Sequence, residues 1–257
     1  MYFTWKPYIR VKITTSFFKK KWTFYIFYMV LDSYCCLGNS INKTKKSIVL
    51  NFILGGIMKN IFRHLQNKFY QVINKKYLSI YNILFLNNIP NIKTHLTLEE
   101  KYLLHTKVLP NSSCVEIGSY VGASSCYIAA TKNCKKLYCV DTWANEGMAE
   151  GLRDTFDEFI ANTKNFQHKI ITLRGKSYDI GKSFSTNIDF LFIDGDHSYD
   201  GVKKDIEIWL PKLRPNGILM MHDCGWATGV QKIIKEDVLN NMKKYKYTPN
   251  MFMGVKK

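Results

Sequence analysis

From about residue 110 onward, short apolar runs of strand type alternate with segments of helical spacing. Such alternation is typical of a parallel sheet covered by helices. The runs expected to form parallel strands are Cys114 to Ile117, Lys136 to Val140, Lys169 to Leu173, Ile188 to Ile193 and Ile218 to Met221. The expected helices are 123–131, 148–162, 199–213 and 229–242, with at most a short helix at 177–184. A last strand pair, 245–247 and 251–255, is expected to be antiparallel, so the sequence predicts an α/β fold.

The front of the chain differs from this part in charge and in pattern. Residues 1–110 hold 17 Lys or Arg against 3 Asp or Glu, whereas residues 111–257 hold 20 against 17. Residues 1–57 show neither helical spacing nor alternation. A basic amphipathic stretch begins at Met58, and its apolar residues at helical spacing are Ile61, Leu65, Phe69, Val72 and Ile73.

Three regions are therefore expected. Residues 1–57 form an irregular basic extension, which translation from Met58 would leave out of the native protein. Residues 58–96 form a basic helical segment, and residues 97–257 form the α/β domain. The domain opens on Thr97-Leu-Glu-Glu100, a capping-box pattern that predicts a helix to about Lys107.

The basic front favours an anionic partner, either nucleic acid or a membrane surface, although a Lys- and Asn-rich composition alone gives the same charge. No run reaches the roughly 18 to 20 apolar residues of a membrane span. The nearest run, Trp22 to Leu31 behind three lysines, also has features of a secretion signal. None of the seven cysteines forms a C-x-x-C pair, and we interpret most of them as reduced, which predicts a cytoplasmic protein with membrane-peripheral contact left open.

The first predicted strand runs into a turn that carries Gly118 and Gly122. Glycines let the backbone approach a ligand closely at the carboxyl end of a strand, where ligands of open α/β sheets bind. The next strand ends at Asp141, where an acid can accept hydrogen bonds from ribose hydroxyls. Glu116 would be costly to bury without a partner, and we expect it to accept from the ligand's ammonium group or from nearby backbone donors. Trp143 either lies against a purine ring or is a core residue.

Two later strands also end in ionisable groups. The fourth delivers Asp194, Asp196, His197 and Asp200, and the fifth delivers His222 and Asp223. Asp194 and Asp223, on neighbouring strand ends, have the oxygen ligands that Mg²⁺ prefers. His197 would then take a proton from a metal-bound hydroxyl. The alternative is a solvated loop in which Asp196 or Ser198 caps the following helix.

In order along the chain, these segments resemble class I methyltransferases, in the group of macrolide-sugar O-methyltransferases and cephalosporin hydroxylase-like proteins (methyltransferase domain family 24). The resemblance covers about residues 97–257, and it is carried by 116–122, 140–143, 193–205, 213–217 and 222–223. It implies a Rossmann-like doubly wound sheet of about seven mostly parallel strands with a last antiparallel strand. It also implies S-adenosylmethionine as methyl donor, and commonly a sugar or other small-molecule hydroxyl as acceptor.

Carried over by position, the resemblance assigns roles to named residues. It places Glu116, Gly118, Ser119 and Gly122 at the methionine end of the donor and Asp141 at its ribose, with Trp143, Ser177 and Asp194 as further donor-site residues. Asp194 and Asp223 match positions that hold magnesium in the metal-dependent members, and His197 matches a general base. Two positions depart from the family pattern: Asn216 replaces a second glycine after Pro215, and Lys176 replaces an acid before Ser177, which puts an adenine contact from that loop in doubt.

Other functions are disfavoured by missing motifs. The turn lacks the G-x-G-x-x-G of a nicotinamide-dependent dehydrogenase. Transfer to a base or an amine usually goes with an Asn-Pro-Pro-Tyr-like signature, and Ile193-Asp-Gly-Asp-His197 stands in its place, so an oxygen acceptor is favoured. The acceptor, the need for a metal, a homo-oligomeric state and a domain without catalysis all remain open from the sequence.

Overall fold

The computed structural model describes residues 71–72, 74–146 and 151–257. The expected extension 1–57, the alternative start at Met58, the residues of the amphipathic stretch before 71 and the start of the helix expected from 148 lie outside the described residues. The anionic partner expected for the front half therefore stays a prediction. In the part of the chain that is described, no helix has the length and apolar character needed to cross a bilayer.

The apolar runs form one seven-stranded sheet of order β3-β2-β1-β4-β5-β7-β6. Its strands are β1 Ser112–Ile117, β2 Cys134–Asp141, β3 Ile170–Arg174, β4 Ile188–Ile193, β5 Leu213–His222, β6 Met242–Tyr247 and β7 Met251–Lys256. The first five pair in parallel, and β7 is antiparallel to both β5 and β6. The predicted mostly parallel sheet with an antiparallel end is confirmed, and its strand order reverses between β1 and β4.

From residue 98 onward, six α-helices of the described residues follow the expected alternation. They are α1 Leu98–Thr106, α2 Ala123–Ala130, α3 Phe156–Thr163, α4 Ser177–Ser183, α5 Tyr199–Trp209 and α6 Thr228–Ile233. The capping box at α1 is confirmed, since the Thr97 hydroxyl accepts from Glu100 N at 3.3 Å and Glu100 Oε2 accepts from Thr97 N at 2.7 Å.

Two predicted helix boundaries were wrong, and local chemistry explains both. Helix α5 ends at Trp209 and not at 213, because Pro211 has no N–H to continue the helix, and a 3₁₀ turn leads directly into β5. Helix α3 begins at Phe156, since residues 151–155 turn back and Thr155 N donates to Trp143 O at 2.9 Å. After α6 the chain continues as a π turn and a 3₁₀ turn up to residue 241.

The core lies on both faces of the sheet. Alternate residues of one strand point to opposite faces, so Phe190 and Phe192 join one buried cluster while Leu191 and Ile193 join the other. The second cluster is completed by Trp209 of α5, which is fully buried. A parallel sheet covered on both faces directs its ligands to the strand ends.

The segment before α1 also contributes to the core. Residues 74–81 are helical and continue as a π turn at Asn82–Leu86. Leu86, Ile89 and Leu96 are buried in the first cluster. Val72, expected on the apolar face of the amphipathic stretch, is 66% exposed.

Candidate active site

A cavity of about 1270 Å³ opens at the carboxyl ends of β1, β2, β4 and β5. It is larger than the roughly 300 to 1,000 Å³ of a site for one drug-sized ligand, which gives room for two reactants. Seven of the ten predicted site residues line it: Gly118, Ser119, Asp141, Ser177, Asp194, His197 and Asp223. Glu116, Gly122 and Trp143 are not among the lining residues.

The turn after β1 is built on a glycine that no other residue can replace without strain. Gly118 has φ +83°, and a Cβ there would lie 2.1 Å from the carbonyl oxygen of Asp194. This close approach brings the end of β1 against the end of β4. Gly122 also has a positive φ, but a Cβ there would meet Thr163 Cγ2 at 2.6 Å. Gly122 therefore allows α2 to pack on α3 and does not face the cavity.

Asp141 holds this turn through the backbone. Its Oδ2 accepts from Ser119 N at 2.8 Å and Tyr120 N at 2.7 Å, and its Oδ1 accepts from Trp143 N at 2.7 Å. Oδ2 thus uses both of its lone pairs, whereas Oδ1 keeps one, so Asp141 can accept a further hydrogen bond from a ligand in the cavity that it lines.

Glu116 lies behind the turn, fully buried. Its Oε2 accepts hydrogen bonds from the hydroxyls of Ser119 (2.8 Å) and Ser125, and the thiol of Cys139 lies 3.5 Å away. Burial raises the pKa of Glu116, and these donors offset part of that rise. Glu116 thus supports the turn through side-chain hydroxyls, whereas its Oε1 has no hydrogen-bond partner among the described residues. The contact expected with the ligand's ammonium group stays a prediction.

Trp143 is a core residue. It is fully buried, its ring lies 5.0 Å from that of Phe156 and 4.9 Å from that of Phe159, and its Nε1 donates to Tyr120 O at 2.9 Å. Of the two alternatives for Trp143, the structure has the core residue, because the side chain has no exposed surface for a purine ring to contact.

At the start of α4, Ser177 is paired with an acid from another helix. Its hydroxyl donates to Asp205 of α5, and both residues line the cavity. Burial raises the pKa of Asp205 to about 6, helped by the nearby charge of Asp196. An acid is thus present beside Ser177 even though Lys176 precedes it in sequence.

The ends of β4 and β5 bring three predicted residues together. His197 Nε2 lies 2.8 Å from Asp223 Oδ2, and this contact raises the pKa of His197. Asp194, His197 and Asp223 each offer one atom that could bind a metal, and these three atoms lie within 4.8 Å of one another. Two carboxylate oxygens suit Mg²⁺, and the imidazole also suits transition metals. The donor set therefore fits a divalent cation.

His222 lies beneath this cluster and is 5% exposed. Its Nδ1 is 3.3 Å from Asp194 and 3.2 Å from Asp223, and its Nε2 is 3.6 Å from Glu100. Burial alone would lower the pKa of His222, but the three carboxylates overcome this and raise it to about 12. Asp194 and Asp223 thus both contact the cationic side chain of His222.

Two residues of the site were missed from the sequence. Trp226 Nε1 donates to Asp223 Oδ1 at 2.7 Å, and Asn250 Nδ2 donates to the same oxygen at 2.9 Å. Asn250 arrives there because antiparallel β7 places Met251 beside His222 at the end of β5. Trp226 has a sequence signal, since it follows Asp223 by only three positions, whereas Asn250 has none without the strand order.

Residues 115–224 match the family model of a methyltransferase domain. These residues are thus similar to a methyltransferase domain, and the sheet that contains them has the class I fold. The chain is 28% identical over 146 residues to an uncharacterised protein of Acanthamoeba polyphaga mimivirus, over 54% of this chain and 64% of that protein. It is 29% identical over 115 residues to an uncharacterised protein of Sinorhizobium fredii, over 42% of this chain and 13% of that protein. The chain thus spans less than two thirds of either relative.

Solved structures share the fold of this methyltransferase domain. The O-methyltransferase NovP superposes with a TM-score of 0.56 at 14% identity, over 65% of this chain and 83% of that one. A Streptococcus mutans protein described as a methyltransferase, in complex with SAH (S-adenosylhomocysteine), superposes with a TM-score of 0.50 at 14% identity. That match covers 64% of this chain and 100% of the other.

Proposed function

We propose that the methyltransferase domain transfers the methyl group of S-adenosylmethionine to a hydroxyl oxygen of a sugar, a glycan or another small-molecule acceptor. The observation that carries this proposal is one cavity lined by two chemically different sets of residues. The Gly118 turn and Asp141 lie at the ends of β1 and β2, and Asp194, His197 and Asp223 follow β4 and β5.

The Gly118 turn and Asp141 suit an adenosyl group attached to an amino acid. Asp141 can accept from the ribose hydroxyls while its backbone hydrogen bonds keep it in place. Gly118 and Ser119 leave room for the methionine part next to the β1 backbone. The SAH in the Streptococcus mutans structure supports this choice of donor.

The proposed reaction is an in-line displacement. The acceptor oxygen forms a bond to the methyl carbon while the bond from that carbon to sulfur breaks, and its electron pair stays on sulfur to give S-adenosylhomocysteine. The hydroxyl proton passes to the imidazole of His197, and Asp223 orients this ring and stabilises the imidazolium. The protein contributes mainly by aligning the two reactants.

Asp194 and Asp223 would hold a magnesium ion, with His197 beside them. A bound divalent cation lowers the pKa of a hydroxyl that it coordinates. Support for an oxygen acceptor comes from this carboxylate and imidazole cluster and from the likeness in fold to NovP, an O-methyltransferase. A cytoplasmic location and a homo-oligomeric state also remain part of the proposal.

Calorimetric titration of the full-length chain with S-adenosylhomocysteine tests the donor site. We expect a Kd on the order of micromolar, weakened at least about tenfold in Asp141→Ala, because the ribose loses its acceptor. Asp154→Ala, which removes an exposed carboxylate outside the cavity, is the matched control. A folded wild-type protein that does not bind this ligand would remove the proposal.

Turnover with methyl-labelled donor tests the roles assigned to Asp194 and His197. Asp194→Ala and His197→Ala should each abolish methyl transfer and leave the Kd for S-adenosylhomocysteine within about threefold of wild type. Repeating the assay with EDTA and with added Mg²⁺ tests the metal. Full activity in both variants would show that the acceptor site is assigned to the wrong residues.

A further inference from the structure

Trp226 is the exposed tryptophan of the described residues. Trp143 and Trp209 are fully buried, whereas Trp226 is 62% exposed and lines the cavity. Leaving a large aromatic surface in water forgoes the burial free energy that this side chain would otherwise contribute. A ligand that covers the indole would recover it.

The exposed indole is nevertheless fixed in orientation. Its Nε1 donates to Asp223 Oδ1 at 2.7 Å, and its ring lies 5.1 Å from that of His197 at an interplanar angle of 72°. A ring held in this way has already lost its rotamer freedom, so a ligand that packs on it does not have to order it. The Trp226 face therefore has a fixed position relative to His197.

We propose, on the basis of the proposed function, that Trp226 is the binding platform for the acceptor and that it packs against the C–H face of a pyranose ring whose hydroxyl reacts beside His197. An aromatic face carries partial negative charge and attracts the weakly positive C–H groups of a saturated ring.

The surroundings of Trp226 favour a saturated polar ring over an aromatic acceptor. Asn250 donates to the same Asp223 oxygen as Trp226, and Asp196 lies next to His197 in the chain, so both are close to the platform. Such side chains hydrogen-bond ring hydroxyls. Further polar side chains line the same cavity, Lys93, Thr94 and His95 among them, and these can also hydrogen-bond a polar acceptor.

The test uses full-length protein, methyl-labelled donor and a panel of methyl pyranosides, with sorbitol and catechol as acceptors that lack a pyranose ring. We expect transfer to at least one pyranoside. Trp226→Ala should raise the KM for that pyranoside by about tenfold or more, with kcat changed less and the Kd for S-adenosylhomocysteine unchanged.

Trp226→Phe separates the platform from the hydrogen bond to Asp223, because phenylalanine keeps an aromatic face and lacks the N–H. We expect its KM to stay within about threefold of wild type. Tyr245→Ala, which removes an exposed aromatic ring from β6 outside the cavity, is the matched control.

Several results would overturn the platform. One is an unchanged KM in Trp226→Ala, and another is a KM in Trp226→Phe that is as high as in Trp226→Ala. A third is a wild-type protein that binds S-adenosylhomocysteine but methylates catechol, or methylates no acceptor of the panel. Failure of the wild type to bind S-adenosylhomocysteine would instead remove the proposed function, and the platform with it.

Discussion

Asp205 is an acidic side chain that the fold keeps out of water. It is 3% exposed and accepts a hydrogen bond from Ser177. Burial raises its pKa to about 6, whereas an aspartate in an unfolded chain titrates near pH 3.9. Asp205 therefore costs stability at neutral pH.

Asp205→Asn should be more stable than wild type at about pH 8 and equally stable at about pH 4. Below about pH 4 the acid is protonated in both states. Between about pH 4 and 6 the unfolded chain loses its proton first, so the stability of wild type falls as pH rises, by up to about 3 kcal/mol above the folded pKa.

Urea unfolding at the two pH values measures this difference. Asp200→Asn, on the same helix but exposed, should change little at either pH. An Asp205→Asn variant whose gain in stability is the same at both pH values would show that the buried carboxylate does not titrate in this way.

At the scale of elements, the turn between β1 and α2 depends on the absence of a side chain at one position. Gly118→Ala forces alanine into φ +83° and brings its Cβ against the Asp194 backbone. Gly151 has nearly the same φ, +85°, with nothing within 4 Å of a Cβ. Alanine would therefore be strained by the positive φ at both positions, but its Cβ would clash with neighbouring atoms only at position 118.

Gly118→Ala should lower the free energy of unfolding by at least about 2 kcal/mol more than Gly151→Ala does. It should also weaken binding of S-adenosylhomocysteine at least about tenfold, since the turn can no longer approach β4. Thermal unfolding and calorimetry of both variants measure this. Equal losses in the two would mean that backbone strain alone accounts for the effect.

Local patterns predicted the elements better than their ends. The Thr97 capping box and the five parallel strands follow from side chains within a few residues of one another, and the structure has all of them. Helix α3 begins later than expected because Thr155 bonds to Trp143, a contact that spacing along the chain does not encode.

The residues of the candidate site also fall into those that local sequence predicts and those that it does not. Asp141 is the last residue of its strand, and Gly118, Asp194 and Asp223 directly follow theirs, so sequence alone places them at one edge of the sheet. Burial of Glu116 and Trp143 depends on how α2 and α3 pack, and Asn250 reaches Asp223 only through the antiparallel return of β7. These features are set by tertiary packing and could not be predicted.

For the molecule as a whole, the domain core extends in front of α1. Leu86, Ile89 and Leu96 are buried against the same cluster as Leu103 and Leu104 of that helix. A fragment that begins at residue 97 loses these three side chains and exposes the surface that they cover.

A fragment of residues 70–257 should unfold cooperatively, whereas one of residues 97–257 should be less stable by several kcal/mol, at about 1.5 kcal/mol or more for each buried side chain removed. Urea unfolding of both fragments, followed by circular dichroism, measures the difference. Equal midpoints would indicate that the segment before α1 is not part of the cooperative unit.

The two sets of residues that line the cavity are assembled from the chain in different ways. The Gly118 turn and Asp141 come from one continuous β-α-β segment, whereas Asp223 is contacted by the nearby Trp226 and by two residues distant in sequence, His197 and Asn250. A point change near Asp223 therefore disturbs partners far away in sequence. Exchanging acceptor preference between proteins of this fold by grafting a single loop should fail, while the donor half can be transplanted as one piece.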